Sequence, residues 1–313
     1  MSSLSIIIPV FNAAQSLEKL HAQLIPAVEA IADEFEVILV DDRSADKSWE
    51  LITRLQKNDP RVRGIRLSRN YGQQNALLCG IRAARFETIV TMDDDLQNPV
   101  SEISKLVSKL DEGFDVVYGT PDKQQHGFLR GLASKLTKLA LQNVMGANTA
   151  TKVSAFRAFK TRLRKGFDRY RSPHVSIDVL LTWSTSSFAA VTVKHVSREL
   201  GESNYTVGKL VRHAFNLITG FSTLPLKFAS LIGFLFTLFG VGVLLWVIVR
   251  YLIFGTSVPG FSFLASIIAI FSGVQLFALG IFGEYLARIH FRTMDQPSYV
   301  VSTHHDEIEN LNQ

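Results

Sequence analysis

Three adjacent carboxylates, Asp93, Asp94 and Asp95, follow the apolar, β-branched run Phe86-Glu87-Thr88-Ile89-Val90-Thr91-Met92 and precede Leu96-Gln97-Asn98-Pro99. Like charges so close to the end of a buried strand repel one another unless a cation sits among them. A hard divalent ion meets that need. Mg2+ or Mn2+ takes oxygen from one or two carboxylates and shares its other positions with substrate phosphates. One reading is therefore a metal–diphosphate site. The other is an acidic turn ahead of a helix starting near Pro99, because carboxylates favour helix N-termini. The triplet alone does not separate the two.

The elements that would position these residues repeat along the first 118 positions. Residues 4–10, 35–40, 62–67, 86–90 and 114–118 read as apolar strands, and helical periodicity fills 14–31, 47–56, 72–84 and 101–110 between them. Ser44 or Asp46 is placed to cap the second helix. Such alternation predicts a mostly parallel α/β sheet flanked by helices, whose ligands bind beyond the carboxyl ends of the strands. Three of those ends are polar: Asn12, the pair Asp41 and Asp42, and the stretch from Asp93 to Gln97. No Gly-x-Gly-x-x-Gly follows the first strand and no Gly-Lys-Ser/Thr occurs, which argues against a dinucleotide fold and a P-loop. A single cysteine, Cys79, excludes a Cys-based zinc site and an internal disulfide.

Composition changes sharply toward the C-terminus. Residues 228–249 and 251–283 carry no charge, separated only by Arg250, and each run exceeds the ~20 residues that cross a bilayer as a helix. Two spans are expected, joined by a turn over 255–260. The net charge of +5 is uneven: 1–118 holds 13 Lys+Arg against 18 Asp+Glu, while 119–227 holds 17 against 5. The basic block lies just before the first span, where it suits anionic lipid headgroups. It lacks a recognisable nucleic-acid module, so no nucleic-acid partner is expected. Two stretches within it, 128–144 and 207–221, have basic amphipathic character: the first suits a membrane surface or packing on the sheet, and the second favours the membrane surface. No signal peptide is expected, since no basic segment followed by a long apolar stretch occurs in the first residues. With Lys227, Arg288 and Arg292 flanking the spans, the expected topology keeps both termini in the cytosol. Arg250 near the outer end fits less well, although its side chain can snorkel to the interface. Gly233, Gly240 and Gly242 would permit close helix packing in a homo-oligomer.

The segments Ser5-Ile6-Ile7-Ile8-Pro9-Val10-Phe11-Asn12, Val40-Asp41-Asp42-Arg43-Ser44 and Asp93-Asp94-Asp95-Leu96-Gln97-Asn98-Pro99 resemble, in this order, the family 2 glycosyltransferases of GT-A fold. Arg198-Glu199-Leu200-Gly201-Glu202-Ser203-Asn204-Tyr205, followed by a membrane hairpin, narrows the resemblance to polyprenyl-phosphate glycosyltransferases. Arg69-Asn70-Tyr71-Gly72-Gln73-Gln74-Asn75-Ala76 is most similar to the bactoprenol glucosyltransferases and the undecaprenyl-phosphate aminoarabinose transferases. The resemblance implies that Pro9, Asn12 and Asp41 or Asp42 line a nucleotide, probed at its base edge by an aspartate. It implies a donor or water-mediated metal contact for Asp93, and Mg2+ or Mn2+ ligands in Asp95 and Gln97. Arg198 and Ser203 would hold the donor diphosphate on a closing loop shaped by Tyr205. Arg130, Arg157 and Arg212 are candidates for the acceptor phosphate, although a basic residue in so basic a segment is by default solvated.

The activity so implied is inverting transfer of a sugar from a nucleotide-sugar, UDP-linked by expectation, to undecaprenyl phosphate at the cytosolic face of a bacterial inner membrane, for cell-envelope glycan modification. A processive polysaccharide synthase is the rival enzyme; it calls for a Gln-x-x-Arg-Trp motif that is absent. A catalytically silent membrane-tethered scaffold is the rival outside enzymology. One departure concerns the sugar. Relatives often carry an acid shortly before the pair matching Phe156-Arg157, where this chain has Thr151-Lys152-Val153-Ser154-Ala155. Asp178 is a substitute for it, or a cap on the helix after it. The expected division is a catalytic domain over 1–205, a juxtamembrane helix over 206–227, a hairpin over 228–284 and a tail over 285–313.

Overall fold

The computed structural model describes residues 3–121, 153–172, 175–196, 224–255 and 260–304. The chain forms two compact units, 1–214 with 295–313, and 215–294. In the first unit β1 (Ser3–Val10), β2 (Glu34–Asp41), β3 (Val62–Leu67) and β4 (Thr88–Thr91) alternate with α1 (Leu17–Glu29), α2 (Ser48–Asn58) and α3 (Gln73–Ala83). Then come α4 (Ile103–Asp111), β5 (Val116–Pro121), β6 (Arg157–Lys160), α5 (Ile177–Thr182), β7 (Phe188–Val193) and, after the second unit, β8 (Val301–His304).

Strand order is β7-β5-β6-β4-β1-β2-β3-β8. The four strands β4, β1, β2 and β3 run parallel. β6 runs antiparallel between β4 and β5, and β8 runs antiparallel along β3. The sheet is therefore mixed, and the fifth strand of the sequence does not lie beside the fourth. β1 shows why the parallel centre forms. It is buried on both faces, as a strand covered by helices on both sides must be. Ile6, Ile8 and Val10 join the core that includes Leu20 and Leu24 of α1, whereas Ile7 joins the core containing α3 and α5, following the two-residue period of a strand. α3 lies close against β1 through Gly80. A Cβ there would stand 2.4 Å from Ile7 Cγ2 and 3.2 Å from Val40 Cγ2.

Because β1 has β2 on one side and β4 on the other, the connection order reverses at β1. That reversal opens a crevice beyond the carboxyl ends of these three strands, where α/β sheets bind ligands. The polar residues Asn12, Asp41, Asp42 and Asp93 to Gln97 all follow or end these strands.

The stretch expected as a tail over 285–313 includes the end of the last long helix and a strand. Residues 295–304 return to the sheet, with Val301 paired to Leu67 and His304 to Ile65. Tyr299 reaches α3, its ring 5.6 Å from the Arg82 guanidinium. Burial pushes the Cys79 thiol up to about 12 against the opposing effect of its hydrogen bond with Tyr299, so this cysteine is a packed core residue.

The second unit contains α6 (Leu224–Phe254), which begins four residues before the first charge-free run, and α7 (Phe261–Thr293), which ends ten residues after the second. Within them 225–254 and 270–290 are long and apolar enough to cross a membrane, and neither buries its apolar window inside the protein. Phe236 and Phe271 meet edge to face at 5.7 Å between ring centres, and Phe271 also lies over Gly240. Gly233 and Gly242 face open space. Arg250 stacks on Trp246, 5.2 Å from the ring centre, a cation held beside an amphipathic aromatic. The amphipathic stretches 128–144 and 207–221 lie outside the described residues, as does most of the expected turn.

Candidate active site

Asn12 begins the site. It leaves β1 with φ of 53°, a left-handed conformation that asparagine tolerates better than most residues. Its N–H donates to Ser44 Oγ (3.0 Å) and its side-chain oxygen accepts the Ala45 N–H (2.9 Å). Next to it, Ala13 N–H donates to Ser48 Oγ and Ala14 N–H to Asp46 Oδ2. Asp46 Oδ1 in turn accepts the Ser48 N–H at the start of α2. Of the two expected caps, Asp46 binds the helix start, and Ser44 serves the β1 loop. Pro9 is buried in β1 opposite Val40.

The two aspartates that end β2 are both consumed by the protein. Asp41 is fully buried; its Oδ1 accepts the Ser44 N–H (3.0 Å) and its Oδ2 pairs with Arg66 Nε (3.1 Å). Asp42 accepts the backbone N–H groups of Tyr71 (2.7 Å) and Gly72 (2.8 Å), one on each oxygen. Gly72 has φ of 92°, a conformation open to glycine, and this turn presents both N–H groups to one carboxylate. Burial raises the Asp42 carboxyl from its ordinary 3.8 to about 6, and the two backbone hydrogen bonds act against that rise.

The β4 end is different. Met92 N–H still bonds Ile7, and the chain then turns through Asp93, Asp94, Asp95 and Leu96, the last with φ of 58°. All of 93–99 is half-buried. Gln73, the first residue of α3, donates from Nε2 to Asp93 Oδ1 at 2.5 Å. Asp94 Oδ2 accepts the Phe11 N–H at 3.4 Å, tying the end of β1 to the acidic turn. Asp95 Oδ1 accepts the Gln97 N–H at 3.2 Å. The Gln97 carbonyl accepts the N–H of Val196, two residues before Arg198 in sequence. The structure thus brings Asn12, Asp42, Asp93, Asp94, Asp95 and Gln97 together at one sheet edge. Arg198, Ser203, Tyr205, Arg130 and Arg212 lie outside the described residues, as do Thr151 and Lys152.

Arg157 is not a surface cation. It is 1% exposed, on β6 beside β4, and its Nε donates to Thr91 Oγ1 (3.2 Å) while its NH1 group pairs with Asp178. Tyr118 donates to the same Asp178 oxygen at 3.1 Å, and Thr91 donates to the Ala155 carbonyl at 2.8 Å. Burial first, and the neighbouring Asp178 charge second, push the Tyr118 hydroxyl well above its ordinary range. Asp178 does lie in the first turn of a helix, but its side chain is spent on Arg157 and Tyr118. This network anchors Thr91, the last strand residue before the acidic turn.

Sequence reasoning gave no role to Gln73, Phe11, Thr91 or Tyr118. A signal existed for Gln73, inside the quoted run from Arg69 to Ala76, and for Phe11, inside the quoted run from Ser5 to Asn12. The others depend on pairing between strands far apart in sequence.

Among the described residues no group of three or more His, Cys, Asp or Glu side chains is placed to cage a metal. The half-buried carboxylates of Asp93, Asp94 and Asp95 would suit a hard divalent ion that takes one or two carboxylates and completes its shell with phosphate and water.

The family model described as glycosyl transferase family 2 matches residues 5–169. Undecaprenyl-phosphate 4-deoxy-4-formamido-L-arabinose transferase of Yersinia enterocolitica is 32% identical over 305 residues, covering 96% of this chain and 93% of that one. Among solved structures, glucosyl-3-phosphoglycerate synthase of Mycobacterium tuberculosis, in complex with Mn2+, uridine diphosphate and phosphoglyceric acid, matches with a TM-score of 0.52. That match is at 16% identity and covers 70% of this chain and 76% of that one. The same enzyme with Mn2+ and UDP-glucose matches with a TM-score of 0.52 at 18% identity, covering 70% and 77%. At these identities the structures speak for the GT-A-like fold alone.

Proposed function

This chain belongs to glycosyl transferase family 2, and from that premise we propose that it transfers a sugar from a nucleotide-sugar onto a polyprenyl phosphate held in the membrane. The observation that carries the reading is a pairing within one chain. An acidic turn lies at the sheet's reversal point, and two helices of membrane-crossing length follow it. The first suits a diphosphate donor and the second a lipid-borne acceptor. The name of the Yersinia relative supports undecaprenyl phosphate as that acceptor.

In this reading the nucleotide, UDP by preference, lies across the ends of β1 and β2 near Pro9, Asn12 and Asp42. Asp93 contacts the donor, and Asp95 with Gln97 would hold Mg2+ or Mn2+. When bound, the ion supplies positive charge to the leaving diphosphate. Arg198 and Ser203 add donors to the same group, with Tyr205 shaping their loop, and Val196 on the Gln97 carbonyl supports that placement. Arg130 and Arg212 remain candidates for the acceptor phosphate. Arg157, buried on Asp178, positions Thr91 instead.

The chemistry needs no strong base. A phosphate monoester has its second pKa near ~6 and is largely dianionic at neutral pH. Its oxygen attacks the anomeric carbon, the bond from that carbon to the donor diphosphate breaks, and the nucleoside diphosphate leaves with the electron pair. Direct attack inverts the anomeric centre. The protein's share is to hold the two substrates in line and to stabilise the leaving charge. The catalytic unit faces the cytosol, where nucleotide-sugars are made, and the product supplies envelope glycans.

The test incubates the purified protein in lipid with undecaprenyl phosphate, Mg2+ or Mn2+ and a panel of UDP- and GDP-sugars, with mass analysis of the lipid fraction. A lipid-linked sugar is expected with one donor, and its identity names the sugar. No product with any donor overturns the reading.

A further inference from the structure

Among the described residues of the sheet unit, four large apolar side chains are exposed: Phe11, Trp183, Val196 and Val300. Phe11 and Val196 adjoin the acidic turn, and Val300 precedes β8. Trp183, the most exposed at 50%, has no such employment. It follows α5, and its ring meets Tyr170 edge to face at 5.5 Å.

The segment beneath it is strongly basic. Residues 161–172 contain Arg162, Arg164, Lys165, Arg169 and Arg171 against the single acid Asp168. Arg164 turns inward and donates to the carbonyls of Ile81, Arg82 and Ala84 at the end of α3. Lys165, Arg169 and Arg171 are exposed. The Trp183 turn and this segment form one surface: Ser184 Oγ donates to the Leu163 carbonyl (2.8 Å), and a Cβ on Gly166 would stand 2.1 Å from Ser184 Oγ. An amphipathic aromatic pair beside a basic segment is the composition of a bilayer interface, where Trp and Tyr lie at headgroup depth and Lys and Arg meet anionic lipid.

A second observation points the same way. Arg171 pairs with Asp295 (2.6 Å), and Ser172 N–H donates to Ser298 Oγ (3.2 Å). Asp295 follows Met294 directly, and the apolar segment of α7 ends at His290. The basic surface is therefore bonded to the stretch of chain that has just left a membrane-length helix.

We propose that Trp183, Lys165 and Arg169 form a docking surface for an anionic phospholipid bilayer, which holds the sheet unit against the membrane. This rests on reading α6 and α7 as membrane spans. Each cation near an anionic surface contributes about 1 kcal/mol, roughly a fivefold change in the docked population per residue.

The test places the full-length protein in nanodiscs of phosphatidylcholine and phosphatidylglycerol, with acyl chains either plain or brominated near the headgroup. The emission difference between wild type and Trp183→Phe isolates Trp183, and that between wild type and Trp246→Phe isolates Trp246 on α6. Trp183 emission should be lost in brominated discs, and recovered when phosphatidylglycerol is omitted or when Lys165→Glu and Arg169→Glu are combined. Emission indifferent to bromine overturns the proposal. Equal quenching without phosphatidylglycerol overturns the choice of anionic lipid. Shielding of Trp183 from iodide that grows with protein concentration in detergent, without bromine quenching, would assign the face to a second copy. If Trp246 also escapes the brominated lipid, the membrane-span reading has failed and takes the proposal with it.

Discussion

Two strand ends in this protein carry neighbouring aspartates, and they have been put to opposite uses. At the end of β2, Asp41 and Asp42 are almost fully buried and accept four contacts from the protein: Ser44, Arg66, Tyr71 and Gly72. At the end of β4, Asp93 and its two neighbours are half-buried along a turn. Their contacts with Gln73, Phe11 and Gln97 orient them there. The same residue type at the same topological place is a clamp in one case and the candidate chemistry in the other. A buried carboxylate must be paired or hydrogen-bonded within the protein, whereas a half-exposed one retains lone pairs for a ligand. The two ends are also joined, because the loop that Asp42 clamps through Tyr71 and Gly72 leads directly into Gln73 and from there to Asp93.

The sharpest way to break this contrast is to remove the carboxylate assigned to ligand binding. Asp95→Ala should lower turnover by about 10²–10³, the scale for losing one charge-stabilising group from a reacting site. Melting in detergent should stay unchanged, since the removed group is half-exposed and serves one local N–H. A large fall in melting temperature would show that the β4 end is a clamp as well. Asp41→Ala should do the reverse. It leaves the Arg66 guanidinium without its carboxylate and the Ser44 N–H unpaired, at a cost of about 3 kcal/mol, the low end for a broken buried pair because Arg66 is partly exposed. Thermal unfolding measures it; an unchanged midpoint would remove Asp41 from the clamp.

Asp42 adds a dependence on pH. Its carboxyl is raised to about 6, so the folded chain holds this proton more tightly than the unfolded chain, where the value is near 3.8. Folding therefore gains from this group as pH falls from about 6 toward 4, and loses that gain as pH rises through 6. The difference is roughly 2–3 kcal/mol across the window. Asp42→Asn cannot titrate, so its melting temperature relative to wild type should rise by several degrees between pH 4 and pH 7. A constant difference across that range would mean that burial does not dominate at this site.

The contrast also marks how far the amino-acid sequence can be read. The parallel centre was legible because residues 4–10 and 35–40 are mostly apolar and β-branched, and 62–67 keeps Val62, Ile65 and Leu67 around its two arginines. The acidic turn was legible because three carboxylates in a row demand an explanation. β6 was not, since Arg-Ala-Phe-Lys offers a charge where a strand should be buried, and Asp178, which makes the buried arginine tolerable, lies 21 residues away. β8 was hidden for a similar reason. Val-Ser-Thr-His reads as polar tail, and its partner strand β3 is more than two hundred residues earlier. The roles of Asp41 and Asp42 were equally illegible. Their residue types suit a nucleotide or a clamp, and only the positions of Arg66 and the Tyr71-Gly72 turn assign their oxygens.

The smallest effect tests the joint between the two ends. Gln73 Nε2 donates to Asp93 from the first residue of α3, directly after the glycine that Asp42 holds. Its hydrogen bond to a charged acceptor is worth about 1.5–3 kcal/mol when buried, and less at a half-exposed site. Gln73→Ala should raise KM for the donor a few-fold, near 1 kcal/mol. It should leave kcat and melting temperature close to wild type, because the amide steadies Asp93 and does not take part in bond breaking. Gln73→Glu sharpens the test, since it places a second carboxylate against Asp93 at the same reach. A like charge there disfavours ionisation of both groups, so its KM should exceed that of the alanine variant and improve as pH is lowered. Equal effects of alanine and glutamate, with no dependence on pH, would mean that Gln73 packs beside Asp93 without orienting it. The two strand ends would then act independently.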